Sequence, residues 1–223
     1  MMRSLPSVLL VVAALGLATF ALITAYVEGR PLLQTTDTPR PLILAISTGE
    51  VVPGFSTFSQ KMTLDDCTFA MQSTLGQLLP GADRQVLASA CSKMAVKIIA
   101  IAPASSYAWF VEALAQAEIG DTGGMNQALQ RSQATGPFEQ WVATNRVALA
   151  EQHYANLTPD VRAGQEKDLM LLVRSQLGIR AISQRYVSDA SFRDRITAIV
   201  EGMAPQDQAN FLAAVRNASG AVP

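Results

Sequence analysis

Two cysteines, one histidine and a scatter of carboxylates and arginines are the residues of this 223-residue chain whose types could do chemistry. Cys67 and Cys91 are too few for a four-thiolate zinc site or a disulfide-rich mini-protein, but they suffice for one disulfide. His153 is the single histidine, so zinc signatures built on two histidines are excluded, and no nucleophile-elbow pattern accompanies it. The glycines between Gly120 and Gly124 lack the Lys-Ser/Thr step that a phosphate-cradling loop requires. Asp65 and Asp66 are adjacent, and adjacent helical positions do not face each other, so they read as charges favouring a helix N-terminus. Glu112 and Glu139 remain as an acid and base for an enzyme acting on an envelope glycan, which needs two carboxylates at a defined separation; nothing in their spacing demands it. The expectation is therefore no catalytic residues, no cofactor, no metal, and a non-enzymatic chain.

Charge and composition narrow the partners. Seventeen Lys+Arg against 18 Asp+Glu leave no basic excess, so no nucleic-acid partner is expected. With 49% hydrophobic and 16% charged residues, the chain is not disordered. Arg162, Arg174, Arg180, Arg185, Arg193, Arg195 and Arg216 crowd the last third, offset by Asp160, Glu166, Asp168, Asp189, Asp194, Glu201 and Asp207. Most read as surface pairs worth little each; the functional alternative has some lining a groove for an acidic partner segment or an anionic glycan.

The elements that must position these residues begin with an apolar run. Ser4 to Val27 carries no charge, and a membrane-crossing helix needs about 20 such residues. Residues 1–28 therefore read as a membrane anchor; a signal peptide cleaved near Ile23-Thr24-Ala25 is the alternative, with a typical apolar core of only about 7 to 15 residues. Arg3 and the amino terminus before the run leave only a small charge margin over Glu28 and Arg30 after it; a short cytoplasmic tail is the simpler topology, giving a single-pass inner-membrane protein with its bulk in the periplasm. Residues 29–60, with Pro31, Pro39, Pro41 and Pro53, read as an extended Pro-rich linker whose stretch Leu42–Ile46 docks on the folded domain or forms a short strand.

Two helices follow, from Thr63 to Leu79 and from Asp83 to Ala102, either side of the Pro80-Gly81 turn, with Thr63 and Asp83 as caps. Cys67 lies on the apolar stripe of the first and Cys91 on that of the second, at similar distances from the turn. An antiparallel hairpin brings them level, so a Cys67–Cys91 disulfide is expected, in keeping with an exported domain.

From Pro103 the pattern is helix-turn-helix. Ser105 or Ser106 caps a helix to about Ile119, a second runs from Met125 to about Ala134, and a third from Phe138 to about Asn156. Pro103 and Pro137 lie 34 residues apart, each opening a helix with a Trp. Counted so that Pro137 closes the unit, Trp109, Ala113, Leu129 and Ser132 match, and residues 104–137 resemble one partial unit of the tetratricopeptide repeat. Glu112, Gln116 and Met125 depart from that pattern, and Trp141 follows Trp109 by 32 residues rather than 34. Further helices are expected from Thr158-Pro159 to about Gln176, from Ile179 to Tyr186, from Ser191, and from Pro205.

The expected fold is all-α, a helical hairpin array over residues 61–217 after the anchor and linker, with 218–223 a frayed tail. The resemblance implies a membrane-anchored scaffold or adaptor that binds a protein partner beside Trp109 and Trp141, in an envelope assembly such as polysaccharide export or secretion machinery. The other reading, core packing of both Trp residues, stays open, as does an accessory subunit held through its span, where Ala13, Ala14 and Gly16 permit close helix approach.

Overall fold

In a computed structural model of the chain, residues 4–34 and 38–220 are described, with side chains over 7–30 and 38–220; Arg3 and residues 221–223 of the expected tail lie outside them. The regular structure is helical throughout, twelve α-helices and one 3₁₀ turn with no strand among the described residues, as the sequence patterning predicts. The chain divides into two compact units, Met1–Met94 and Ala95–Pro223.

In the first unit, α1 (Ser4–Gln34) contains one stretch, Ser7–Arg30, of mean hydropathy 2.6 and with none of its length buried. It is long and apolar enough to cross a membrane. The segment read as an extended linker is not one. Helix α2 (Pro39–Ser47) occupies its middle and buries Leu42, Ile43 and Ile46 against α3 (Thr57–Gln72) and α4 (Thr74–Gln77). Pro39 and Pro41 do not break α2 because they stand in its first turn, where the missing N–H groups have no intrahelical acceptor.

Helix α3 also starts earlier than expected. Ser56 is the cap, its hydroxyl oxygen accepting the Ser59 N–H at 3.2 Å, while Thr63 is buried mid-helix and donates to the Ser59 carbonyl. Asp65 and Asp66 therefore sit in the body of α3, not at its N-terminus. Asp65 pairs with Lys61 at 2.6 Å, whereas Asp66 is buried, and burial together with the neighbouring Asp65 charge pushes its carboxyl up to about 6. The chain breaks at Ser73, which caps α4, and resumes in α5 (Gly81–Ile101), with Asp83 inside the first turn rather than at the cap. Cys67 and Cys91, both fully buried, are joined as a disulfide with their Cα atoms 5.6 Å apart.

The second unit is a succession of helices, α6 (Ser106–Ile119), α7 (Thr122–Thr135), α8 (Gln140–Gln152), α9 (Pro159–Val173), α10 (Gln176–Ser188), α11 (Ala190–Glu201) and α12 (Pro205–Ala218). Helix α6 packs on α7 and α8 on α9; α6 also meets α8, and α7 meets α9, so one hairpin lies on the next. Ala108, Ala113 and Ala115 on α6 and Ala128 on α7 are all buried, small side chains that let neighbouring helices approach closely. The helix expected to run to Asn156 stops at Gln152 and gives way to a 3₁₀ turn, Tyr154–Asn156. Likewise α9 stops at Val173, because Ser175 accepts the Gly178 N–H and caps α10. Leu169, Leu172, Phe192, Ile196 and Phe211 form the apolar centre around which α8 to α12 close, each buried side chain contributing about 1.5–3 kcal/mol.

Candidate partner-binding surface

The loop between α7 and α8, Gly136-Pro137-Phe138-Glu139, is held from beneath by one buried arginine. Arg146 on α8 is 2% exposed and sends its guanidinium fork in three directions. Nε and Nη2 donate to the two carboxylate oxygens of Asp168 on α9, each at 2.7 Å. Nη1 donates to the Ser132 carbonyl and hydroxyl oxygens on α7, at 3.2 and 3.3 Å, and Nη2 also reaches the Gly136 carbonyl at 3.2 Å. Ser132 in turn donates to the Ser106 carbonyl at 2.7 Å, carrying the network to the start of α6. Burial pushes the Asp168 carboxyl above its ordinary value, while the two charge-assisted bonds from Arg146 oppose that rise.

The loop is fixed at its edges too. Ser106 donates its hydroxyl hydrogen to Glu139 at 2.6 Å, across the gap between α6 and α8. Gly136 lies so close to Ser106 that a Cβ there would fall 2.5 Å from the Ser106 Cβ, so only glycine fits. On this braced frame the aromatic residues divide. Tyr107 is buried, its ring 6.0 Å from Phe110 and 4.6 Å from Trp141. Trp141 is 46% exposed and Phe138 83% exposed. Trp109, two positions from Tyr107 and so about 200° round α6, is half-buried, and its indole N–H donates to the Pro103 carbonyl at 2.9 Å. The partner-binding expectation named Trp109 and Trp141; the ring the structure places against Trp141 is instead Tyr107, and Phe138 stands three residues earlier in the chain, exposed in the α7–α8 loop. Phe138, expected to open the third helix, instead stands in the loop before α8, which starts at Gln140; the Gly136-Pro137 turn just before it marks a place where a side chain is displayed.

The other expected groups are placed as follows. Glu112 is buried on α6 and accepts from the Gln116 amide at 2.6 Å, whereas Glu139 is exposed and held by Ser106, so the two carboxylates have separate environments. His153 caps the end of α8. Of the seven arginines, Arg162 and Arg195 line one groove together with Glu151 and Tyr154, and Arg174 and Arg180 line another. Arg174 pairs with Asp207 at 3.1 Å and Arg185 with Asp189 at 3.4 Å, partly exposed pairs at the surface, as expected. Asp168 is not one of that surface set, being buried with Arg146. Arg195 binds the buried Glu151 carboxylate, which also accepts from Gln165, and Arg195 and Arg162 both lie over the Tyr154 ring, at 4.1 and 5.0 Å from its centroid. Among the described residues no cluster of three or more His, Cys, Asp or Glu side chains could hold a metal ion. A comparison with protein-family models finds no match, and comparisons with curated proteins and with solved structures find none either.

Proposed function

We propose that the chain is a membrane-anchored, non-enzymatic adaptor whose second unit binds a protein partner through the surface formed by Phe138 and Trp141, in a bacterial envelope assembly. The observation that carries this reading is the pairing of two exposed aromatic side chains with a rigid support. Aromatic residues dominate the binding energy of protein interfaces, and a surface that is already ordered loses little entropy when it binds. Here the Arg146 network and the Ser106–Glu139 bond hold the loop, and buried Tyr107 backs the Trp141 ring. The stacking of the α6–α7 hairpin on α8–α9 supports the tetratricopeptide-like reading of this unit, an architecture that presents surfaces to protein segments. The apolar helix α1 supports anchorage, with the helical units on the periplasmic side.

The test is a mild-detergent pull-down of the full-length protein from its native membranes beside a Phe138→Ala, Trp141→Ala double variant. The adaptor reading expects a partner that the wild type retains and the variant loses while circular dichroism stays unchanged. A partner held equally by both moves the contact elsewhere, and Trp109→Ala then separates the remaining aromatic from the span.

A further inference from the structure

We propose that Phe55 and Phe58 are seated in the headgroup zone of the membrane that α1 crosses, so that the first unit rests on the lipid surface. The inference depends on α1 being the span. At about 1.5 Å per residue, the 24 residues of Ser7–Arg30 extend about 36 Å, more than the roughly 30 Å hydrocarbon core, so the last few project among the headgroups. Tyr26 is exposed there, and the Arg30 guanidinium lies 5.9 Å from its ring centroid, the aromatic and cationic pairing that suits a membrane–water boundary.

That end of α1 is fastened directly to the loop before α3. The Glu28 carboxylate accepts from the Phe55 N–H, from the Ser56 N–H at 2.7 Å, from the Ser56 hydroxyl at 2.6 Å and from the Ser59 hydroxyl at 2.9 Å. Arg30 donates to the Glu50 carbonyl at 3.1 Å. The approach requires Gly54, where a Cβ would fall 2.1 Å from Ser59 Oγ and 3.1 Å from Glu28 Oε1. Phe55 and Phe58 flank the capping Ser56, and their side chains are 66% and 62% exposed. From Val51 to Gln60 the chain carries no charge, so nothing in this segment resists transfer from water to the lipid boundary. Two uncovered phenylalanines tied to the end of a span meet lipid before any protein partner, which selects the bilayer as their occupant.

The experiment places the full-length protein in lipid nanodiscs and replaces Phe58, and separately Phe55, by Trp; both sites are exposed, and circular dichroism checks the fold. Trp109 and Trp141 supply the baseline emission. With phospholipid spin-labelled near the headgroup, the emission added by each new Trp is expected to fall by roughly half or more, as befits a ring buried ~5–10 Å into the interface. Added emission that ignores the labelled lipid, in a chain that membranes retain through an alkaline carbonate wash, overturns the proposal and leaves the anchor standing. Release of the chain by that wash overturns both. Shielding of the new Trp from acrylamide without lipid quenching gives the position to a protein and also overturns the proposal.

Discussion

In the first unit α3 is joined to α5 by a covalent bond between Cys67 and Cys91, whereas in the second the meeting of α7, α8 and α9 is fixed by an ion pair sealed from water, Arg146 with Asp168. The two fastenings differ in what they specify. A disulfide joins two points and acts chiefly on the unfolded chain, by shortening the loop it can explore. The arginine fork joins four segments at set angles, so it also fixes the loop that carries Phe138. A buried charge pair of this kind adds little net stability over apolar packing, but it penalises any arrangement that separates the partners. The first unit is thus held by a bond that an oxidising compartment would preserve, and the second by a rigid base beneath the proposed binding surface.

The comparison breaks most visibly in the second unit. Asp168→Ala leaves the Arg146 charge buried without its partner and is expected to cost about 3–5 kcal/mol in denaturant unfolding. Arg146→Met combined with Asp168→Leu removes both charges and recovers most of that loss. Next in size, Cys67→Ser with Cys91→Ser, or reduction of the wild type, is expected to cost about 3 kcal/mol. Hydrogen exchange should locate this loss in α3 and the N-terminal part of α5 and leave α8 and α9 protected. Equal loss of protection in α8 and α9 would remove the contrast between the units.

A smaller effect sharpens it. Asp66 has its folded pKa raised to about 6 by burial, above the ordinary carboxylate value, so the folded state takes up a proton that the unfolded state releases. The first unit is therefore expected to gain stability as pH falls from about 6 towards 4, and Asp66→Asn to raise its melting temperature by a few degrees at pH 7.5 but hardly at all below pH 4. Phe138→Ala with Trp141→Ala is expected to change stability least, by about 1 kcal/mol, since Phe138 is largely in solvent and Trp141 is about half exposed.

How much of this was legible in the residues follows from the range of each interaction. The disulfide could be read because each cysteine sits on a helical apolar stripe equally far from one turn. The start of α6 could be read because Ser105 caps it locally, its hydroxyl accepting the Ala108 N–H. Helix α2 is hidden from a count of prolines as helix breakers, because Pro39 and Pro41 occupy its first turn. The Arg146–Asp168 pair spans 22 residues, and no local rule pairs them. A trace of it was present: Arg146 interrupts the apolar stripe Val142, Ala143, Val147 and Ala150, and Asp168 adjoins Leu169 and Leu172. A charge inside an apolar stripe marks a buried partner. Trp109 and Trp141 share a repeat-like spacing, but exposure depends on what packs over each ring, which spacing does not encode.

The most direct test of the account places a photoreactive phenylalanine analogue at position 138 of the full-length protein in native membranes, and at exposed Leu212 on α12 as a comparison. The account predicts one discrete protein adduct from position 138 that Trp141→Ala abolishes, and none from position 212. No adduct at 138, or the same adduct from both positions, would contradict it.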